Sequence, residues 1–157
     1  MEPKIIEKAA MSLIGVVFYG DPSGGEFAGT WHRLMQIEGD IPKHINQADH
    51  YGLEFYGPDF EQSHKWFYMA SVEVQDLANI PLPMVGKTIP ACTYAVFTVK
   101  GGLKNLMAGF QEAYETWLPQ SPYQVAYQFD FEFYQDGRFK DDAEDSEIDI
   151  YIPVKPK

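Results

Sequence analysis

The chain has 157 residues, of which 45% are hydrophobic and 15% aromatic, so it can bury a core as one domain. Twelve basic and 23 acidic residues give a net charge of −11, which disfavours direct nucleic-acid binding and favours cationic ligands. The single cysteine, Cys92, cannot form an internal disulfide, and no apolar run approaches membrane-spanning length. These features predict a cytoplasmic protein that does not enter a membrane.

The first half of the chain is predicted to contain three strands and one helix. The strands cover about residues 4–18, 50–56 and 66–74, where β-branched and aromatic side chains dominate. Ser23 and Glu26 have the spacing of a capping box, which predicts that a helix begins there. The buried stripe of this helix is predicted from four residues at helical spacing: Phe27, Trp31, Leu34 and Met35.

The second half is predicted to repeat this order of elements. Strands are expected at residues 90–99, 127–134 and 148–152, and the acidic segment 141–145 is expected to form a solvated loop. A helix follows the first of these strands. One face of this helix is predicted to be apolar over four turns: Leu103, Leu106, Met107, Phe110, Tyr114 and Trp117.

A sequence repeat supports a duplicated fold. Residues 53–56 (LEFY) match residues 131–134 (FEFY) at an offset of 132 − 54 = 78, and two further segment pairs match at offsets of roughly eighty. We therefore predict an α+β fold in which two βαββ repeats, about 1–80 and 81–157, form one pseudo-twofold domain. Antiparallel strands would merge into a sheet with both helices on one side and a central ligand cleft.

Strand 127–134 carries the candidate site. Its odd-numbered residues are aromatic, whereas Gln128, Asp130, Glu132 and Tyr134 alternate onto the other face. We expect the helices to cover the face with the phenylalanines and Ile148, Ile150 and Ile152. The opposite face would then carry Glu132, Tyr134, Asp149 and Tyr151, with Glu54 and Tyr56 as their counterparts in the first repeat.

A carboxylate surrounded by tyrosines suits a lipophilic cation. Each ring contributes a cation–π attraction of about 0.5–2 kcal/mol, and the carboxylate neutralises the ligand's charge in a partly dry site. The alternative for Glu132 is an ordinary solvated strand face. For Trp117, Tyr68 and Tyr94 the alternative is packing in the core.

These residues lie in segments that resemble the GyrI-like effector-binding domain superfamily. The resemblance is strongest to stand-alone integron-associated effector-binding proteins and to ligand-sensing domains of multidrug-responsive transcription activators. It extends over nearly the whole chain, in the family's order and spacing. The segments that carry it are residues 68–74 (YMASVEV), 89–97 (IPACTYAVF) with Lys100-Gly101, 117–123 (WLPQSPY), 130–134 (DFEFY) and 147–154 (EIDIYIPV).

The resemblance implies the duplicated fold and a role for Glu132 against bound cationic amphipathic compounds. It implies that Asp149 and Tyr151 match the family's acidic-x-Tyr pair, and that Trp117 and Tyr94 match recurrent aromatic residues near the cleft. Pro122 departs from the family pattern, in which a glycine commonly follows the serine. The candidate ligand-binding set is Glu132, Tyr134, Asp149, Tyr151, Tyr94, Tyr68, Trp117 and Glu54.

The leading hypothesis is therefore a non-enzymatic binding protein for cationic, lipophilic small molecules. One alternative is a hydrolase of electrophilic small molecules in which Glu132 acts as general base on water. Another is a gyrase-inhibitor-like module that contacts a protein, either gyrase or the transcription machinery. No cofactor or metal site is predicted, because the four histidines lack metal-ligand spacing with acids or cysteine.

Overall fold

The computed structural model describes residues 1–157, which divide into two compact units. The N-half unit is Ala10–Pro90, and the C-half unit combines Met1–Ala9 with Ala91–Lys157. Each unit packs helices against antiparallel strands, which confirms the predicted α+β class. No helix has both the length and the apolar character required to cross a membrane.

The N-half unit contains four strands in the order β3-β4-β2-β5. Their bounds are β2 Met11–Gly20, β3 His50–Phe55, β4 Trp66–Val74 and β5 Val85–Ile89. Helix α1 (Glu26–Ile37) packs its buried Leu34 on the sheet, and a short helix α2 (Phe60–Ser63) precedes β4. The core cluster beneath α1 consists of Ile14, Val16, Leu34, Ile41, Ala70, Val72, Val74 and Met84.

The start of α1 differs from the predicted capping box. Gly25, at φ 83°, is the N-cap, and Ser23 lies in a 3-10 turn, where its N–H donates to Asp21 Oδ1 at 2.9 Å. The Glu26 carboxylate instead accepts the Gly24 N–H at 2.8 Å. Met35, which was predicted to belong to the buried stripe of α1, is 61% exposed.

The C-half unit contains strands in the order β1-β6-β9-β8, and β7 pairs with β9. Their bounds are β1 Lys4–Lys8, β6 Cys92–Lys100, β7 Tyr123–Val125, β8 Phe129–Tyr134 and β9 Glu147–Pro156. The strand predicted from residue 4 to 18 is thus two strands, β1 and β2, which belong to different units.

The second long helix is irregular. A 3-10 turn (Leu103–Asn105), α3 (Leu106–Gln111), a π turn (Glu112–Trp117) and α4 (Leu118–Gln120) follow one another. Leu103 and Met107 of the predicted apolar face are exposed, at 46% and 76%. Leu106 is buried as predicted, and Gly109 adds a close contact: a Cβ on Gly109 would lie 2.4 Å from Val99 Cγ2, so the helix approaches the sheet closely there.

The two units share one topology. In the N-half unit β2 pairs with β4 on one side and β5 on the other, and in the C-half unit β6 pairs in the same way with β9 and β1. The βαββ repeat is therefore confirmed. In each unit the short edge strand does not pair with the strand that follows it in the chain: β1 precedes β2 but pairs with β6, and β5 precedes β6 but pairs with β2.

Strand register overturns the predicted grouping of faces. Glu132 lies opposite Ile150, whereas Phe131 lies opposite Tyr151 and Phe133 opposite Asp149. Directly paired residues share a face, so Glu132 and Tyr134 lie with the isoleucines of β9. This is the helix-covered face, since Ile150 lies under Gly109 of α3. Asp149 and Tyr151 lie on the opposite face.

Candidate ligand-binding site

Glu132 and Tyr134 form a buried pair on β8. Glu132 is 3% exposed, and the Tyr134 hydroxyl donates to Glu132 Oε2 at 2.6 Å. Residues i and i+2 of a strand point to the same side, which brings the two groups together. The C-half unit therefore holds a fixed carboxyl group on its helix-covered face.

A second carboxylate, Asp130, lies on the same face of β8. Asp130 is fully buried and accepts a hydrogen bond from the Tyr114 hydroxyl of the π turn at 2.6 Å. Alternation along the strand predicts that Asp130 shares a face with Glu132, but Asp130 was not among the candidate site residues. Its contact with Tyr114 of the irregular helix, which the sequence pattern does not show, links it to the site.

Asp149 forms a structural ion pair. The Arg138 guanidinium donates to both carboxylate oxygens of Asp149, at 2.5 and 3.1 Å, and Thr98 Oγ1 donates to Oδ1 at 2.6 Å. Arg138 also bonds Glu147 at 2.9–3.0 Å. The hydrogen bonds to Asp149 raise the pKa of Arg138 above its ordinary value. The structure separates Asp149 from Glu132, since the two lie on opposite faces of the sheet.

Tyr94 and Tyr151 belong to an aromatic cluster on the face of Asp149. The Tyr151 ring stacks on Phe131, with centroids 4.5 Å apart, and the Tyr94 ring meets both rings edge-on at 5.4–5.7 Å. Burial raises the pKa of both tyrosines, so their hydroxyls stay protonated at neutral pH. Tyr94 and Tyr151 therefore lie beside each other, on the face of the sheet opposite Glu132.

Trp117 closes the π turn above the sheet. Its ring packs edge-on against Phe97 at 5.3 Å and stacks near Tyr123 at 6.0 Å. The ring is half-buried and lines a surface pocket of about 300 Å³ together with Glu112 and Ser121. Trp117 thus combines packing with partial exposure, as the sequence interpretation allowed.

In the N-half unit, Glu54 also lies on the helix-covered face. It is 8% exposed, sits opposite Tyr68 in the ladder, and accepts a longer hydrogen bond of 3.3 Å from Tyr56. Tyr68 is held by α1: its ring stacks on Phe27 at 3.8 Å, and its hydroxyl accepts the Trp31 Nε1–H at 2.8 Å. Carboxylate and tyrosine therefore meet in this unit as well.

The ladder pairing is compatible with the predicted correspondence of Glu54 and Glu132. Glu54 pairs with Tyr68 and Glu132 pairs with Ile150, so offsets of 78 and 82 residues map one pair onto the other (54 + 78 = 132; 68 + 82 = 150). In each strand the acid accepts a hydrogen bond from the tyrosine two residues on, Tyr56 for Glu54 and Tyr134 for Glu132.

Cys92 is expected to react slowly. Burial raises the pKa of its thiol, and the thiolate is the reactive species, so native protein contains less thiolate at pH 8 than an unfolded chain. We expect iodoacetamide to alkylate the native protein more slowly than the urea-unfolded protein, with the native rate still rising above pH 9. Intact-mass spectrometry measures both rates, and Cys92→Ser is the unlabelled control. Equal rates in the two states would contradict this expectation.

No group of three or more His, Cys, Asp or Glu side chains is positioned to hold a metal ion.

Comparison with known proteins identifies the family. A family model described as integron-associated effector binding protein matches residues 4–154. The chain belongs to this family. The transcriptional regulator BrlR of Pseudomonas aeruginosa is 32% identical over 155 residues, which are 98% of this chain and 56% of BrlR. The chain thus spans about half the length of that relative.

Two solved structures extend the family comparison. The structure of SAV2435 bound to tetraphenylphosphonium has a TM-score of 0.78 at 25% identity and covers 99% of this chain and 94% of its own. The integron cassette protein VCH_CASS2 of Vibrio cholerae has a TM-score of 0.71 at 16% identity, over 98% and 96% of the two chains. The predicted resemblance to effector-binding proteins is confirmed.

Proposed function

We propose that this effector-binding family member binds cationic, amphipathic small molecules, with the ligand's positive centre against Glu132. The observation that carries the proposal is the buried Glu132 carboxylate, fixed by the Tyr134 hydroxyl on the helix-covered face. A fixed, desolvated carboxylate attracts a cation more strongly than a hydrated one, because little solvent screens the charge.

The relative SAV2435 supports the ligand class. Its structure contains tetraphenylphosphonium, a cation whose charge is enclosed by four aromatic rings. Such a ligand forms few hydrogen bonds, so its recognition depends on apolar area, ring contacts and a countercharge. The C-half unit offers these groups: two buried carboxylates on one face, Asp130 and Glu132, each beside a tyrosine.

The experiment compares two ligands that differ in charge and share nearly the same shape. Methyltriphenylphosphonium and neutral triphenylphosphine oxide both carry three phenyl rings on phosphorus. We expect the cation to bind at least about 30-fold more tightly, the equivalent of roughly 2 kcal/mol for a partly desolvated charge pair. Tryptophan fluorescence and calorimetry measure both affinities. Equal affinities would show that charge is not recognised and would remove the proposal.

A further inference from the structure

A pocket lies on the face of the C-half sheet that the helices do not cover. Its volume is about 360 Å³, within the range of small-molecule sites. Strands β1, β6 and β9 form it, together with Arg138 from the segment that follows β8. Glu132 points to the other side of the same sheet, so this pocket is separate from the proposed cation site.

The floor of the pocket is apolar and firmly held. Lys4 pairs with Val96, and Val96 pairs with Tyr151, so the three side chains lie in one row across three strands. Ile6 lies two residues along β1 on the same face. The Tyr151 ring is fixed by its stacking on Phe131. A fixed aliphatic and aromatic surface of this kind suits a planar aromatic ligand.

The lining of this pocket contains one cation without an ion pair, although the chain carries −11. The charged residues that line it are Lys4, Arg138 and Asp149, and Arg138 is paired with both Asp149 and Glu147. Asp149 is already neutralised, since Arg138 bonds both of its oxygens and Thr98 bonds one of them. Lys4 forms no ion pair, and its ammonium group can reach a ligand at the pocket edge.

Tyr151 adds a hydrogen-bond donor. Its burial, together with the nearby Asp149 charge, raises the pKa of the phenol, so the hydroxyl keeps its proton at neutral pH. A protonated phenol and an ammonium group both donate hydrogen bonds, and both are satisfied by an anionic acceptor.

We propose that this pocket binds amphipathic aromatic anions, with the ring on Ile6, Val96 and Tyr151 and the anionic group at Lys4. The protein would then hold two sites of opposite charge preference on opposite faces of one sheet. Asp149 and Tyr151, which the sequence assigned to the cation site, would instead shape the anion site.

Calorimetry with 2-naphthoate, and with neutral 2-naphthamide as the shape-matched control, tests this proposal. We expect saturable binding of 2-naphthoate that weakens with ionic strength, and weaker binding of the amide. Lys4→Glu should weaken 2-naphthoate binding by at least about fivefold, whereas Lys4→Arg should change it by less than about threefold. Circular dichroism checks that both variants keep the native fold.

Two further variants separate this site from the cation site. Tyr151→Phe should weaken 2-naphthoate binding, and Glu132→Gln should leave it unchanged. The proposal is overturned if 2-naphthoate shows no saturable binding, if the amide binds equally well, or if Lys4→Glu binds like the wild type. Loss of 2-naphthoate binding in Glu132→Gln would also overturn it, because both ligands would then share one site.

Discussion

Glu132→Gln is expected to weaken methyltriphenylphosphonium binding by about 30- to 300-fold, which corresponds to roughly 2–3.5 kcal/mol. The variant removes the countercharge and leaves the shape of the site nearly intact. The amide oxygen of glutamine can still accept the hydrogen bond that Tyr134 donates at 2.6 Å, so the fold should be retained. Fluorescence titration of the wild type and the variant measures the loss.

Two controls separate a local charge from the overall field of a chain that carries −11. Glu144→Gln changes the net charge equally but lies in an exposed loop, and it should leave the phosphonium affinity within about twofold. Triphenylphosphine oxide should bind Glu132→Gln and wild type alike. Equal losses in Glu132→Gln and Glu144→Gln would assign the effect to long-range charge and contradict the role of Glu132.

Arg138→Met should lower the free energy of unfolding by about 2–4 kcal/mol. The substitution leaves the Asp149 carboxylate, which is 7% exposed, with the Thr98 hydroxyl as its remaining hydrogen-bond donor. Removing one partner of a buried ion pair costs more than the pair itself contributes, because the remaining charge stays desolvated. Since Arg138 is one-third exposed, we expect the lower part of the range measured for fully buried pairs.

Two control variants complete this experiment: one also removes the buried carboxylate, and the other breaks an exposed ion pair. Arg138→Met with Asp149→Leu should recover most of the lost stability, since no buried charge remains. Lys140→Met breaks the exposed pair with Asp145 and should cost less than about 1 kcal/mol. Urea unfolding followed by tryptophan fluorescence measures all three variants. An Arg138→Met effect no larger than that of Lys140→Met would show that Asp149 is not a buried structural partner.

The sequence predicted those elements whose signal is local. Alternation in residues 127–134 predicted a strand that the structure has as β8, Phe129–Tyr134, and it put Asp130, Glu132 and Tyr134 on one side, as the structure has them. Strand β5 (Val85–Ile89) was missed, because a five-residue edge strand with Gly86 and Lys87 becomes a strand through its pairing with β2. Met107 is exposed because α3 faces the sheet through Leu106 and Gly109, and hydrophobic spacing does not reveal a contact made by a glycine.

The prediction that Asp149 and Tyr151 share a face with Glu132 was wrong for a different physical reason. Alternation assigns the two faces within one strand, whereas the register between strands decides which faces coincide. A shift of one residue in the pairing of β8 with β9 would place Asp149 and Tyr151 beside Glu132, as the sequence interpretation assumed. The actual pairing of Glu132 with Ile150 puts them on the other side.

A crystal structure of the protein with methyltriphenylphosphonium tests the central claim most directly. We expect the phosphorus to lie on the helix-covered face of the C-half sheet, within about 6 Å of the Glu132 carboxylate, with tyrosine rings against the phenyl groups. A phosphonium found on the opposite face, against Tyr151 and Asp149, would contradict it.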